Sequence, residues 1–160
     1  MTTPGAMTAS VILCDFAQVW QGKLFLSGGG VSLVGVPPEP PHPMTIHAAV
    51  IVSVPWNAHN QLHKLTISLR GQDEEVIPLL NIVSGPDAPP SDAGQIVVQF
   101  NAGRAPHMSS GDESLLPVAT PISAMLPRLD TYHVVAAVDG TELARARFRV
   151  MNVPQMQFSG

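Results

Sequence analysis

The sequence predicts an all-β chain, an antiparallel Greek-key β-sandwich of immunoglobulin-like or related type with about 8–9 strands. Three observations carry this. Gly, Pro, Asn and Asp recur roughly every 8–15 residues, and the segments between them are rich in Val, Ile, Leu and Thr without helix caps. Gln21-Gly22 and Asp139-Gly140 stand between such segments, where a two-residue hairpin turn needs residues that accept positive φ. Tyr132 opens a late segment just after a Pro-containing turn and two residues before Val134, the place of the corner tyrosine in Greek-key sandwiches.

The elements follow in order. Ser10–Trp20 and Lys23–Val34 form an N-terminal hairpin. Gly28-Gly29-Gly30 interrupts its second arm; no Gly-Lys-Ser/Thr follows, so the glycines are read as a bulge that bends the strand rather than a phosphate loop. The Pro37–Pro43 run, five prolines in seven positions, reads as a stiff connector between sheets in preference to a ligand for an aromatic groove. Met44–Pro55, Leu62–Arg70, Glu75–Ile82, Gln95–Asn101, Val118–Leu126, Thr131–Asp139 and Thr141–Met151 complete the set. In Leu62–Arg70, Leu65, Ile67 and Leu69 alternate with Lys64, Thr66, Ser68 and Arg70; in Gln95–Asn101, Ile96, Val98 and Phe100 alternate with more polar residues, as in sheets with one wet face. Val11–Trp20, Lys23–Val34, Ile46–Val54 and Tyr132–Val138 are apolar on both faces, more than one core absorbs.

At 160 residues the chain makes one domain, residues 8–153, between tails at 1–7 and 154–160. Hydrophobic residues are 45% and charged residues 12%, which excludes disorder. The net charge of −4 offers no field for a phosphate backbone, so no nucleic-acid partner is expected. No signal peptide and no apolar run of about 18 residues are present, which predicts a cytoplasmic protein with no membrane partner. The single Cys14 excludes an intrachain disulfide and reads as a small buried hydrophobe.

Little points to chemistry. His59 and His63 have a helical ligand spacing but fall on a loop and a strand start, with no Cys or carboxylate beside them, so no metal or cofactor is assigned. Ser27, Ser32, Ser109 and Ser110 lie outside any G-x-S-x-G, and no catalytic residue is assigned. Arg145, Arg147 and Arg149 line one face of the last strand, either as an anion-facing stripe or as a solvated face balanced by acidic neighbours.

The excess apolar surface points to a non-enzymatic binding or assembly module acting through a protein partner or a homo-oligomer. The interface is placed on Phe16, Val19, Trp20, Leu24 and Phe25 of the N-terminal hairpin, with Val19 and Leu24 facing outward, beside Ile46–Val54. The Pro- and Gly-rich remainder offers no extra layer to cover them. The alternative is a carrier of a small apolar ligand between the sheets, suggested by Ala48, Ala49, Ala136 and Ala137; a hydrolase is the less favoured third reading.

Ala17-Gln18-Val19, Gly22-Lys23-Leu24, Gly28-Gly29-Gly30 and Tyr132 with Asp139-Gly140 together resemble a family of short uncharacterised bacterial β-sandwich proteins. The resemblance spans most of the chain and implies a compact β-sandwich in a bacterial cytoplasm. It transfers no catalytic or binding residue.

Overall fold

A computed structural model describes residues 5–82 and 86–153. Residues 1–4 and 154–160, which hold most of the two expected tails, and residues 83–85 lie outside the described residues. Among the described residues there are eleven strands: β1 (Thr8–Cys14), β2 (Phe16–Trp20), β3 (Lys23–Ser27), β4 (Leu33–Val36), β5 (His42–Val54), β6 (His63–Arg70), β7 (Val76–Ile77), β8 (Ile96–Phe100), β9 (Ser114–Leu126), β10 (Thr131–Val138) and β11 (Thr141–Asn152). The helical content among the described residues is two single 3-10 turns, Trp56–Ala58 and Pro90–Asp92.

The chain is an all-β sandwich. One sheet has the order β1-β5-β9; the other runs β4-β11-β10-β6, with β7 and β8 sharing the far edge of β6. The β1-β5-β9 and β11-β10-β6 pairings match the A-B-E and G-F-C pairings of immunoglobulin sandwiches. The parallel pairing of β4 with β11 adds an edge strand to the second sheet. Between the sheets lies a single cluster built from alternate residues. Ile46, Ala48, Val50, Val52 and Val54 of β5 meet Leu65, Ile67 and Leu69 of β6 and Val134, Ala136 and Val138 of β10, all essentially dry. Such a face supplies the hydrophobic stabilisation that fixes the register, since a one-residue slip would turn the whole row outward.

Both hairpin signals act as expected. Gln21 and Gly22 have φ of 50° and 71°, and Asp139 and Gly140 have 51° and 83°, the positive pairs that a type I′ turn requires. Tyr132 sits at the start of β10, stacks on Phe148 at 5.9 Å, and its hydroxyl donates to the Arg128 carbonyl at 2.7 Å. This bond makes the tyrosine corner. The Pro-rich segment carries the chain from β4 in one sheet to β5 in the other, and the His42 ring bonds the Pro37 carbonyl across it at 2.7 Å.

Several boundaries differ from the sequence reading. Ser10–Trp20 is two strands, because the chain turns at Asp15 and leaves the sandwich. Lys23–Val34 is also two: Gly28 and Gly30 adopt φ of 65° and 89°, and the triple glycine ends β3 altogether instead of bulging it. The amides of Gly30 and Val31 then both donate to the Leu13 carbonyl, which brings the chain back to the sandwich edge. Glu75–Ile82 shrinks to Val76–Ile77, since Pro78 has no N–H to continue a ladder. Val118–Leu126 extends back to Ser114 through Pro117; β9 tolerates Pro117 and Pro121 because it is an edge strand and their ring nitrogens fall on its unpaired side.

Candidate functional site: an inserted aromatic hairpin

The β2–β3 hairpin forms a two-stranded sheet of its own, inserted between β1 and β4 and folded over the outer face of β5 and β9. It is the extra layer that the composition of the remaining chain did not suggest. Cross-strand pairs Ala17 with Leu26 and Val19 with Leu24 share one side of the hairpin, of which Ala17 and Leu24 pack on the sandwich while Val19 and Leu26 are each 39% exposed. Ala17 is buried against Cys14 and Ala49, and Leu24 and Ala119 pack on the same cluster. Ala49 and Ala119 are themselves directly paired between β5 and β9. Three alanines on the two facing layers leave room for the hairpin to approach closely.

The turn at Asp15 is held by backbone bonds. Its amide donates to the Ser27 and Gly28 carbonyls at 3.1 and 3.3 Å, closing the open end of the hairpin. A Cβ on Gly28 would run into the Asp15 carboxylate, so glycine is needed there for space as well as for its φ. Under the hairpin, the Cys14 thiol points to the His47 carbonyl at 3.6 Å; burial first, then the nearby Asp15 charge, push the thiol pKa up.

The opposite face of the hairpin carries Phe16, Gln18 and Trp20 on β2 and Lys23 and Phe25 on β3. Trp20 is 64% exposed, Phe16 49% and Phe25 48%. Phe16 rests at a tilt against His47 at 5.2 Å, which orders its ring without covering it. Of the five residues predicted for the interface, Phe16, Trp20 and Phe25 are therefore outward and exposed. Val19 is 39% exposed as well, although it shares a side of the hairpin with Ala17, whereas Leu24 is a correction: it is partly buried against the Cys14, Ala17 and Ala49 cluster. Ile46–Val54 is likewise no free surface, because its even-numbered row is core and Ala49 of its other row is buried under the hairpin. Ile12 and Leu26 are exposed apolar neighbours that the sequence reading did not single out.

Ala48 and Ala136 face the core, whereas Ala49 lies under the hairpin and Ala137 on the outer side of β10; the four alanines do not line one space.

Arg145, Arg147 and Arg149 do project from one face of β11, but with different surroundings. Arg145 is clamped by Glu74 at 2.8 and 3.1 Å and by Glu142 at 3.0 and 2.5 Å. Hydrogen bonds to Arg145 hold both carboxyls below their usual range, and the same bonds raise the guanidinium. Arg147 and Arg149 make no ion pair within 4.0 Å among the described residues.

The two spaced histidines do not share a ligand site. His59 is buried with Nε2 on the Val54 carbonyl at 3.0 Å. His63 bonds the Asp139 carboxylate through Nδ1 at 2.7 Å and the Ala58 carbonyl through Nε2 at 2.8 Å. Both partners are acceptors, so only the imidazolium form can donate to both; these bonds favour that form and outweigh burial, raising the His63 pKa. Among the described residues no group of three or more His, Cys, Asp or Glu is placed to hold a metal. No helix of the described residues is long and apolar enough to cross a membrane.

Comparison with solved structures relates the chain to a family 123 glycoside hydrolase from Clostridium perfringens, with a TM-score of 0.38 and 15% identity. The match covers 94% of this chain but 28% of the enzyme chain, so the protein spans little more than a quarter of that enzyme's length. Comparison with curated proteins gives no match. A family model matches residues 9–151, nearly every strand described above, and on that match the chain belongs to DUF6941, a family of unknown function.

Proposed function

We propose that the protein is a non-enzymatic binding or assembly module, and that it acts through the outer face of the β2–β3 hairpin. The observation that carries this reading is the exposure of Phe16, Trp20 and Phe25 on a structure that adds almost nothing to the core. A two-stranded hairpin is marginal in water unless a sheet or helix packs on it. This one is anchored chiefly by Ala17 and Leu24, so a second surface on its free face stabilises it further. Large aromatics concentrate at the centres of interfaces, where each removes water from a wide area at little entropic cost.

A second copy of the chain is the occupant this face fits best. Its only charged residue is Lys23, next to the turn, so two hairpins can stack about a two-fold axis with aromatics at the centre and lysines at the rim. The acidic net charge and the single buried thiol suit a protein partner in a reducing cytoplasm rather than a nucleic acid. Sedimentation velocity at rising protein concentration tests the reading. The wild type is expected to exceed the monomer mass of 16.9 kDa. The Trp20→Glu/Phe25→Glu variant should sediment as monomer with an unchanged far-UV spectrum, since truncating one such anchor weakens association by about 2 kcal/mol, roughly thirtyfold. A wild type that stays monomeric at high micromolar concentration refutes self-association through this face.

A further inference from the structure

The charge distribution on the outer face of the larger sheet singles out a second place. All twelve acidic side chains of the chain lie among the described residues, and they pair with four of the eight lysines and arginines. Lys64 pairs with Asp92, Arg70 and Arg145 with Glu74, and Arg128 with Glu75 and Asp130. Arg104 donates to the Trp56 carbonyl and lies 3.8 Å over its ring. Among the described residues, Lys23, Arg104, Arg147 and Arg149 are left without an ion pair, and of these only Arg147 and Arg149 stand together, on one face of β11 and about 7 Å apart by strand geometry.

The arginines are placed against a shaped surface. With Ser32 and Leu33 they line a depression of about 400 Å³. Arg149 and Leu33 also border a second one of about 680 Å³, lined by Leu129, Thr131 and Met151. Leu33, Leu129 and Met151 are exposed apolar side chains at this spot, so the second depression offers an apolar wall beside a cationic rim. Asp130 also lines it, but its carboxylate is taken by the Thr131 amide at 2.7 Å, Gln72 at 3.3 Å and Arg128 at 3.4 Å. Its charge repels a second anionic group there and thereby selects a neutral body.

We propose that Arg147 and Arg149, with Ser32 and Leu33, bind the oxyanion end of a small organic molecule, a phosphate monoester or a carboxylate, whose neutral, partly apolar body lies in the adjoining depression. Guanidinium forks match the paired oxygens of either group, and two of them lining one depression give the site its strength. The larger depression is of the size that small-molecule sites have, about 300–1,000 Å³.

The test is an amide chemical-shift titration of the full chain at constant ionic strength with phenyl phosphate, benzoate and inorganic phosphate. The expected result is saturable shifts at Ser32, Leu33, Thr131, Arg147 and Arg149 with phenyl phosphate or benzoate, their order telling phosphoryl from carboxylate. Binding should weaken at least tenfold in Arg147→Gln/Arg149→Gln and stay unchanged in Arg145→Gln, whose guanidinium is already neutralised. Shifts that never saturate, or equal binding by the double variant, overturn the site. Inorganic phosphate binding as tightly as phenyl phosphate overturns the role of the second depression. Shifts with an acidic peptide and none of the small anions overturn the proposal in favour of a protein partner.

Discussion

Replacing Tyr132 by Phe isolates one hydrogen bond. The hydroxyl donates to the Arg128 carbonyl at 2.7 Å, while the ring is 1% exposed and stacks on Phe148. Burial pushes the phenol pKa up, so the hydroxyl remains a donor through neutral and mildly alkaline pH. Phe keeps the ring and the stack and loses only the donor. A typical bond of this kind contributes about 1 kcal/mol net, and stranding its acceptor adds to the loss. The bond is only partly buried, which limits that addition. The expected cost is therefore about 1.5 kcal/mol, at the lower end of what a stranded buried partner incurs. With a urea dependence of about 1–3 kcal/mol per molar, the unfolding midpoint falls by roughly 0.5–1.5 M at constant slope. Urea titrations followed by tryptophan fluorescence and by far-UV circular dichroism measure this. An unchanged midpoint refutes the tyrosine corner as a stabilising device. A larger loss is expected for Tyr132→Leu, which also removes the stack on Phe148.

The His63–Asp139 pair makes stability depend on pH in a set direction. Burial alone would lower the His63 pKa, but the bonds to Asp139 and the Ala58 carbonyl outweigh it and raise it above 6.5. Its stabilisation is thus complete below pH 6.5 and is lost as the pH rises through the raised folded value. Asp139 is shifted down by its bonds to His63 and the Lys64 amide, so its share is present above 3.8 and is lost only as the pH falls through a lower value. Denaturation midpoints should therefore decline above pH 6.5 in the wild type. In Asp139→Asn that decline should disappear and stability should instead fall on acidification, because burial then opposes charging His63; a variant with the wild-type profile would exclude the ion pair as the cause. Gly28→Ala forces a Cβ onto the Asp15 carboxylate at a positive φ, which alone costs about 1–2 kcal/mol. The hairpin should lift while the sandwich stays folded, and Cys14, buried beneath it, should react with an aromatic disulfide reagent at least tenfold faster; an unchanged rate would show that the hairpin does not guard the thiol.

Local chemistry made the sandwich readable from sequence. Period-two alternation in β6 and β8 names the core row directly, Asp139-Gly140 and Gln21-Gly22 specify their turns through backbone conformation alone, and Tyr132 announces its corner from two positions before Val134. These signals lie within a few residues of one another. What covers a two-faced apolar strand is a different kind of question, because periodicity marks a residue as buried without naming its cover. The outer row of β5 therefore read as an interface, while the tertiary structure covers Ala49 with the chain's own hairpin, docked through Ala17 and Ala119 from distant segments. The same distance hid the inward packing of Leu24, which depends on how the chain turns at Asp15 and Gly28. Likewise the stripe of three arginines was plain in the last strand, but only folding separates Arg145, clamped by Glu74 from 71 residues away, from Arg147 and Arg149. Local residue chemistry thus names the all-β class, the two tight turns and the inner face of the sandwich, while strand breaks at Asp15 and Gly28 and the choice of open outer surfaces come from the folded chain, because cover and charge neutralisation are supplied by residues that only the completed sheets bring together.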